Sequence, residues 1–236
     1  MLSSNAKFIT FEGIDYCGKT TQLNRLKAYL GEKGVPAVFV REPGSTPIGV
    51  ALRQLLLRPA AAYTALEGAL SQYPEFEGVP QDFDNRTGAA ELYMFLAARA
   101  EFMARVVNPN LEKGIHVVSD RLADSTRAYQ GGGRFLSNPE TISLINNNNH
   151  FALGGRWPDR TFLLDIPIQV MFERKRPGER DYIESAGAAF FERVRQEYLT
   201  LAREEPERVV VFDGTQTIDS IFEAGIKPEV NRLFNI

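Results

Sequence analysis

Five short apolar runs punctuate the chain: KFITFE from Lys7, PAVFVRE from Pro36, IHVVSD from Ile115, RTFLLD from Arg160 and RVVVFD from Arg208. They are rich in β-branched and aromatic residues and nearly continuous in apolar character. That is the pattern of strands buried on both faces. Between them the period changes. Leu23, Leu26 and Leu30 share one helical face, and Ile48, Leu52 and Leu55 share another. Leu92, Phe95, Arg99, Phe102 and Val106 form a third stripe, and Phe191, Val194, Tyr198 and Leu201 a fourth. Strands alternating with amphipathic helices predict an α/β fold: a central five-stranded parallel sheet flanked by helices on both faces. Such sheets gather ligands at the carboxyl ends of their strands. Gly13 and Asp15 stand at the first of these ends, Arg41 at the second, and Asp120 with Arg121 at the third.

One stretch breaks the rhythm. Arg58 to Gly88 is long and rich in Pro, Gly, acids and aromatics. A connection of that length in a compact domain needs a structure or a job of its own. It reads as an insertion (58–88) in a single domain spanning 1–236, not as a second domain. The chain has 236 residues, 44% of them hydrophobic and 24% charged, which suits one globular core. A formal net charge of -3 argues against a general nucleic-acid surface. The single cysteine excludes an intrachain disulfide. The start, MLSSNAKFITFEG, runs straight into a strand without a secretory apolar segment, and no apolar run reaches membrane-spanning length. The expectation is a cytoplasmic protein.

The chemistry concentrates in FEGIDYCGKTTQ, Phe11 to Gln22. Gly13, Gly18, Lys19 and Thr20 satisfy the phosphate-loop pattern, after a strand and before a helix. The glycines let Gly13, Ile14, Asp15, Tyr16, Cys17 and Gly18 wrap their N–H groups around an anion, with Thr21 just beyond. Lys19 reaches the outer phosphates, and Thr20 is placed to ligate Mg²⁺. Tyr16 and Cys17 are tolerated because backbone does the binding. Cys17 is either a thiol activated at a helix start or a small filler. In SDRLADSTRAYQGGGR, Asp120 can hold Mg²⁺ directly or through water, and Arg121 can bind phosphate; the bland alternative is a helix-capping pair. Phe95 and Arg99 share a face that can stack on and hydrogen-bond a flat base, though by pattern alone they read as a core phenylalanine beside a surface arginine. FERKRPGERDY clusters Arg174, Arg176 and Arg180 around a Pro-Gly break. It is either a solvated face or a lid (172–186) that closes on a phosphoryl group.

These segments, in this order, resemble the thymidylate kinase family. REPGST from Arg41 and the Asp120–Arg134 stretch are its most specific parts. The resemblance implies a P-loop NTPase fold with a lid segment, ATP as phosphoryl donor, Mg²⁺ as cofactor, dTMP as acceptor, dTDP as product and a homodimer. It implies that Lys19 and the loop hold ATP and that Asp15 lies near the deoxyribose. Arg41 and Arg121 would hold the dTMP phosphate, and Phe95 and Arg99 the thymine. Ser125 and Gln130 fall in the acceptor-site segment. Where some members carry a loop arginine, this chain has Tyr16, so charge in transfer is expected from lid residues Arg174, Arg176 and Arg180, together with Lys19 and Arg121. Departures from the family pattern stand at Leu122, where an aromatic near the sugar is common, at Ala98 and at Tyr182. Two competing readings remain at this stage: a nucleoside monophosphate kinase with a shifted acceptor, and a non-catalytic ATP-dependent regulatory module.

Overall fold

A computed structural model describes residues 6–70, 72–73, 86–175, 183 and 187–236. Strands β1 (Phe8–Glu12), β2 (Ala37–Arg41), β3 (His116–Asp120), β4 (Arg160–Asp165) and β5 (Val209–Asp213) correspond to the five apolar runs. They form one sheet in the order β2-β3-β1-β4-β5, with every neighbouring pair parallel. β1 lies in the middle, with Ile9 opposite Val118 on one side and Arg160 on the other. Alternation divides its side chains between two cores. Ile9 and Phe11 join a cluster with Leu26, Leu30, Phe191 and Val194, whereas Phe8 packs with Phe102, Val107 and Leu111. The edge strands are less enclosed than a fully buried reading expects: Val211 of β5 is 44% exposed, because an edge has a neighbour on one side only.

Helix α1 (Lys19–Glu32) buries the expected Leu23, Leu26 and Leu30. In α2 (Pro47–Leu57), Pro47 opens the helix and the Thr46 hydroxyl caps it by accepting from the Gly49 N–H at 2.9 Å. The apolar stripe expected there is corrected: Ile48 is 52% exposed, and Leu56 is the fully buried leucine. Its hydrophobic residues outnumber the core positions available, so packing rather than period selects the buried one. Helix α3 (Pro59–Leu70) occupies the first part of the 58–88 stretch. Helix α4 (Gly88–Phe102), capped by Thr87, continues through a π-helical segment Met103–Val107 into α5 (Asn108–Glu112). The wider turn shifts the stripe by one position, so Val107 is buried in place of the expected Val106.

Helix α6 (Ala123–Thr126) leads into a second π-helical segment, Arg127–Arg134, followed by α7 (Pro139–Ala152), α8 (Ile168–Arg174) and α9 (Ala188–Glu204). The fourth predicted stripe, Phe191 to Leu201, is buried throughout on α9. Gly132 and Gly133 let the π-helical backbone lie directly on α9. A Cβ on Gly133 would come within 2.4 Å of the Phe190 ring, and one on Gly132 within 2.8 Å of the Glu197 Cβ. α10 (Ile218–Ser220), a third π-helical segment Ile221–Ile226 and α11 (Lys227–Phe234) complete the layer beside α1. Of the 172–186 segment, 172–175 and Ile183 are described; the lid candidates Arg176 and Arg180, and Tyr182, lie outside the described residues. Among the described residues, no helix is long and apolar enough to cross a membrane.

Candidate active site

The carboxyl ends of β1, β2 and β3 open into one cleft of about 840 Å³, the size of a small-molecule site. The phosphate loop forms one wall. Gly13 has φ 133°, and a Cβ there would meet the Leu164 carbonyl oxygen at 2.4 Å, so no larger residue fits. Gly18, at φ 103°, forms the N-cap of α1. Lys19 is 7% exposed and closes the loop on itself: its Nζ donates to the Gly13 and Ile14 carbonyls at 3.0 and 2.9 Å. Its charge acts on the nearby Asp15 carboxyl. Thr20 and Thr21 are exposed at the cleft rim. Tyr16 adopts φ 60° and packs its ring against the core. Cys17 is 1% exposed, which fits the small-filler reading.

Arg121 dominates the opposite wall. It follows β3 with a left-handed backbone, φ 70°, that turns its side chain back across β1. Its Nη1 donates to the Gly13 carbonyl at 2.9 Å, the Ser125 hydroxyl at 3.1 Å and the Tyr198 hydroxyl at 3.3 Å. Its Nη2 donates to Asp15 Oδ1 at 2.6 Å and the Tyr129 hydroxyl at 3.1 Å. The Tyr129 hydroxyl also donates to Asp15 Oδ2 at 3.0 Å. Burial alone would raise the Asp15 carboxyl, but the Arg121 and Lys19 charges hold it below the usual carboxylate range. Burial keeps the Tyr129 and Tyr198 hydroxyls neutral, with titration pushed well above the ordinary value.

The remaining candidates are placed as follows. Arg41 is exposed at the end of β2, where the Ser45 side chain folds back to accept from its N–H at 3.1 Å. Phe95 lines the cleft at 8% exposure. Arg99 is fully buried beneath it, which corrects the reading of a surface arginine. Its Nη1 donates to Asn149 at 2.6 Å, and its Nη2 to Glu42 at 2.9 Å, Thr126 at 2.8 Å and the Leu122 carbonyl at 3.2 Å. Gln130 also lines the cleft and donates its amide to buried Glu91 at 2.8 Å. Arg174 reaches over the phosphate loop, donating to the Gly214 carbonyl at 3.0 Å and the Tyr16 carbonyl at 3.5 Å.

Two of the three departures from the family pattern, Leu122 and Ala98, lie among the described residues. Leu122 is fully buried in the core cluster with Phe8 and Phe102, and Ala98 is 1% exposed. Neither lines the cleft. The Leu122 side chain packs into the core, and its backbone carbonyl accepts from Arg99.

Sequence reasoning missed four residues of the site. Arg53, one helix further along from Arg41, lines the cleft and donates to the Pro43 carbonyl at 3.0 Å. Tyr129 and Tyr198 flank Arg121, and Glu12 lies beneath it. Tyr198 had been visible only as a core position. Glu12 stands on β1 two residues before the phosphate-loop pattern's Ile14, where a carboxylate among apolar strand residues was the available signal.

Glu12 is fully buried. Burial and then the neighbouring Asp124 charge push its carboxyl up to about 7, against the opposing pull of Arg121, Ser125 and Tyr198. An unfolded glutamate releases its proton near the ordinary value of 4.5, so between there and about 7 the folded chain holds the extra proton. Stability from this group is complete below the unfolded value and is lost as pH rises through about 7. Glu12→Gln removes the titration. The melting temperature of the variant, relative to the parent, is expected to rise between about pH 5 and about pH 8. A difference that stays constant with pH would refute it.

Comparison with known proteins agrees with this geometry. A family model described as thymidylate kinase matches residues 11–70 and 80–224. A protein named thymidylate kinase from Fervidobacterium nodosum is 40% identical over 228 residues, covering 97% of this chain and 98% of the relative. One from Neisseria gonorrhoeae is 40% identical over 217 residues, covering 91% and 92%. The chain belongs to the thymidylate kinase family. A crystal structure of thymidylate kinase from Ehrlichia chaffeensis superposes with a TM-score of 0.65 at 29% identity, covering 95% of this chain and 98% of that one. With the parallel sheet and phosphate loop, this makes the fold that of the P-loop NTPases.

The thymidylate kinase cleft also offers a place for a divalent cation. Asp120 Oδ1 is buried at the cleft without a hydrogen-bond partner, and the Thr20 side chain opens onto the same space. Among the described residues no cluster of three or more His, Cys, Asp or Glu could hold a metal alone. That donor set fits Mg²⁺, which takes one or two protein oxygens and completes its shell from phosphates and water.

Proposed function

We propose that this chain transfers the γ-phosphoryl group of ATP to the phosphate of dTMP, yielding dTDP and ADP. The supporting observation is the junction at Gly13, whose carbonyl accepts from both Lys19 and Arg121. One cation serves the phosphate loop and the other faces the opposite wall, so two phosphorylated ligands can meet there with their charge offset. Family membership supports both the reaction and the choice of acceptor.

In this reading the loop N–H groups and Lys19 hold the ATP phosphates. Arg121, Arg41 and Arg53 take the acceptor phosphate, and Phe95 stacks on the thymine, with Arg99 anchoring the floor beneath it. Asp15, kept ionised by Arg121 and Lys19, accepts from the sugar hydroxyl. Arg174 brings charge over the loop, and the lid arginines Arg176 and Arg180 are assigned to the same role from the sequence. Thr20 and Asp120 would hold Mg²⁺, which would supply positive charge to offset that of the phosphates. Phosphoryl transfer of this kind needs positioning and electrostatics more than covalent help, and these residues supply both. The acceptor phosphate oxygen attacks the γ-phosphorus in line, and the β–γ bridging oxygen leaves with ADP. A homodimer is part of the same proposal; Tyr93, 56% exposed on α4, is a large apolar residue available to a partner.

The shifted-acceptor reading loses its motivation, since Ala98 and Leu122 are both away from the cleft. A regulatory module has no need of a second arginine wall. The test is a panel of dTMP, dUMP, UMP, dGMP and dCMP with ATP and Mg²⁺. dTMP is expected to give the highest kcat/KM. A better acceptor among the others, or ATP binding without ADP release, overturns the reading.

A further inference from the structure

Glu12 occupies the last position of β1, directly beneath Arg121, and makes no contact with the open cleft. Its Oε1 accepts from the Leu122 N–H at 2.7 Å, tying the residue after Arg121 to the central strand. Its Oε2 accepts from the Ser125 hydroxyl at 2.6 Å and the Tyr198 hydroxyl at 2.8 Å. Those two hydroxyls lie 2.8 Å apart, and both accept from Arg121 Nη1. A hydroxyl has a single hydrogen. With Glu12 ionised, as it is above about pH 7, the two hydrogens are drawn to Oε2 or shared between the hydroxyls, so lone pairs face the guanidinium. The charged groups around Glu12 are Asp124, itself bound by Arg208 at 2.7 Å, and Arg121. Arg121 also needs help to keep its backbone left-handed, a conformation disfavoured for a side chain with a Cβ. The Leu122 N–H bond to Glu12 supplies a fixed point immediately beyond it.

We propose that Glu12 is a positioning residue for acceptor capture: through Ser125, Tyr198 and the Leu122 N–H it sets the direction and register in which Arg121 presents its guanidinium to the acceptor's phosphate. This rests on the reading of Arg121 as a ligand of that phosphate. Glutamine at position 12 preserves shape but brings an NH₂ group. In one orientation that group opposes the Leu122 N–H. In the other it opposes the two hydroxyls and turns a hydrogen towards Arg121. Either way Arg121 loses its fixed setting, while the thymine and sugar contacts, made by other elements, remain.

The experiment, run at about pH 8 where Glu12 is ionised, compares the binding of dTMP and of thymidine, which lacks the phosphate, to the parent enzyme and to Glu12→Gln by calorimetry, with the KM for ATP as a further readout. The dTMP Kd is expected to rise about ten-fold or more, as when a hydrogen bond to a charged group is lost. The thymidine Kd and the ATP KM are expected to stay within about two-fold. Equal weakening of dTMP and thymidine would reduce Glu12 to a packing role, and no change in either would remove it from the site; both overturn the proposal. If Glu12→Gln does not fold, Tyr198→Phe carries the same comparison, with a smaller shift again confined to dTMP. A parent enzyme that binds neither ligand would instead refute the functional reading itself.

Discussion

Lys19→Ala is expected to lower kcat about 10²- to 10³-fold, the usual loss when one preorganised donor to transition-state charge is removed. The expected cost to the fold is small. Lys19 Nζ bonds to two loop carbonyls and approaches Cys17 Sγ at 3.5 Å, and no carboxylate depends on it for a hydrogen bond. After its removal the Gly13 carbonyl still accepts from Arg121. Steady-state kinetics with dTMP and ATP, paired with a thermal melt, separates the two effects. A variant that turns over normally would remove Lys19 from the chemistry. One that melts far below the parent would make the loop's closure a structural matter first.

Arg121→Lys is expected to lower kcat/KM for dTMP about 10²-fold or more, although the charge is kept. The guanidinium divides its two terminal nitrogens among five protein acceptors on four separate elements, and an ammonium on a single flexible stem cannot span them. Asp15 then loses its 2.6 Å hydrogen bond from the guanidinium, although the Lys19 charge remains beside it. The loss is expected mainly in the KM for dTMP, with the KM for ATP changing less. A lysine variant with parental kcat/KM would show that charge alone, not the fork, is what the site uses.

The five strands were legible because parallel strands buried on both faces leave nearly continuous apolar runs. The phosphate loop was legible because its glycines are required by backbone shape. Helix periodicity succeeded on α9 and on α1, where one face meets the core. It failed on α2, where Ile48 and Leu56 are both apolar and packing alone chooses between them. It slipped by one residue at Val106, because a π-helical turn leaves no mark in a 3.6-residue pattern. Arg99 looked like a surface residue because an isolated guanidinium usually is. Its burial depends on Glu42 and Asn149, which come from distant parts of the chain. Glu12 and Tyr198 were hidden for the same reason. Their meaning lies in a hydroxyl–carboxylate cluster assembled from β1, α6 and α9.

The bare backbone between Gln130 and Arg134 makes the enzyme sensitive in a place that has no chemistry. Because nothing separates that ribbon from α9, their distance is set by atoms that cannot be trimmed further. A single methyl group on Gly133 would meet no ligand, yet it would lever α9 outward. α9 carries Tyr198 under Arg121 and begins just after the arginine-rich stretch. Inheritable change along this seam is therefore felt at the acceptor from behind, as poor capture rather than poor catalysis.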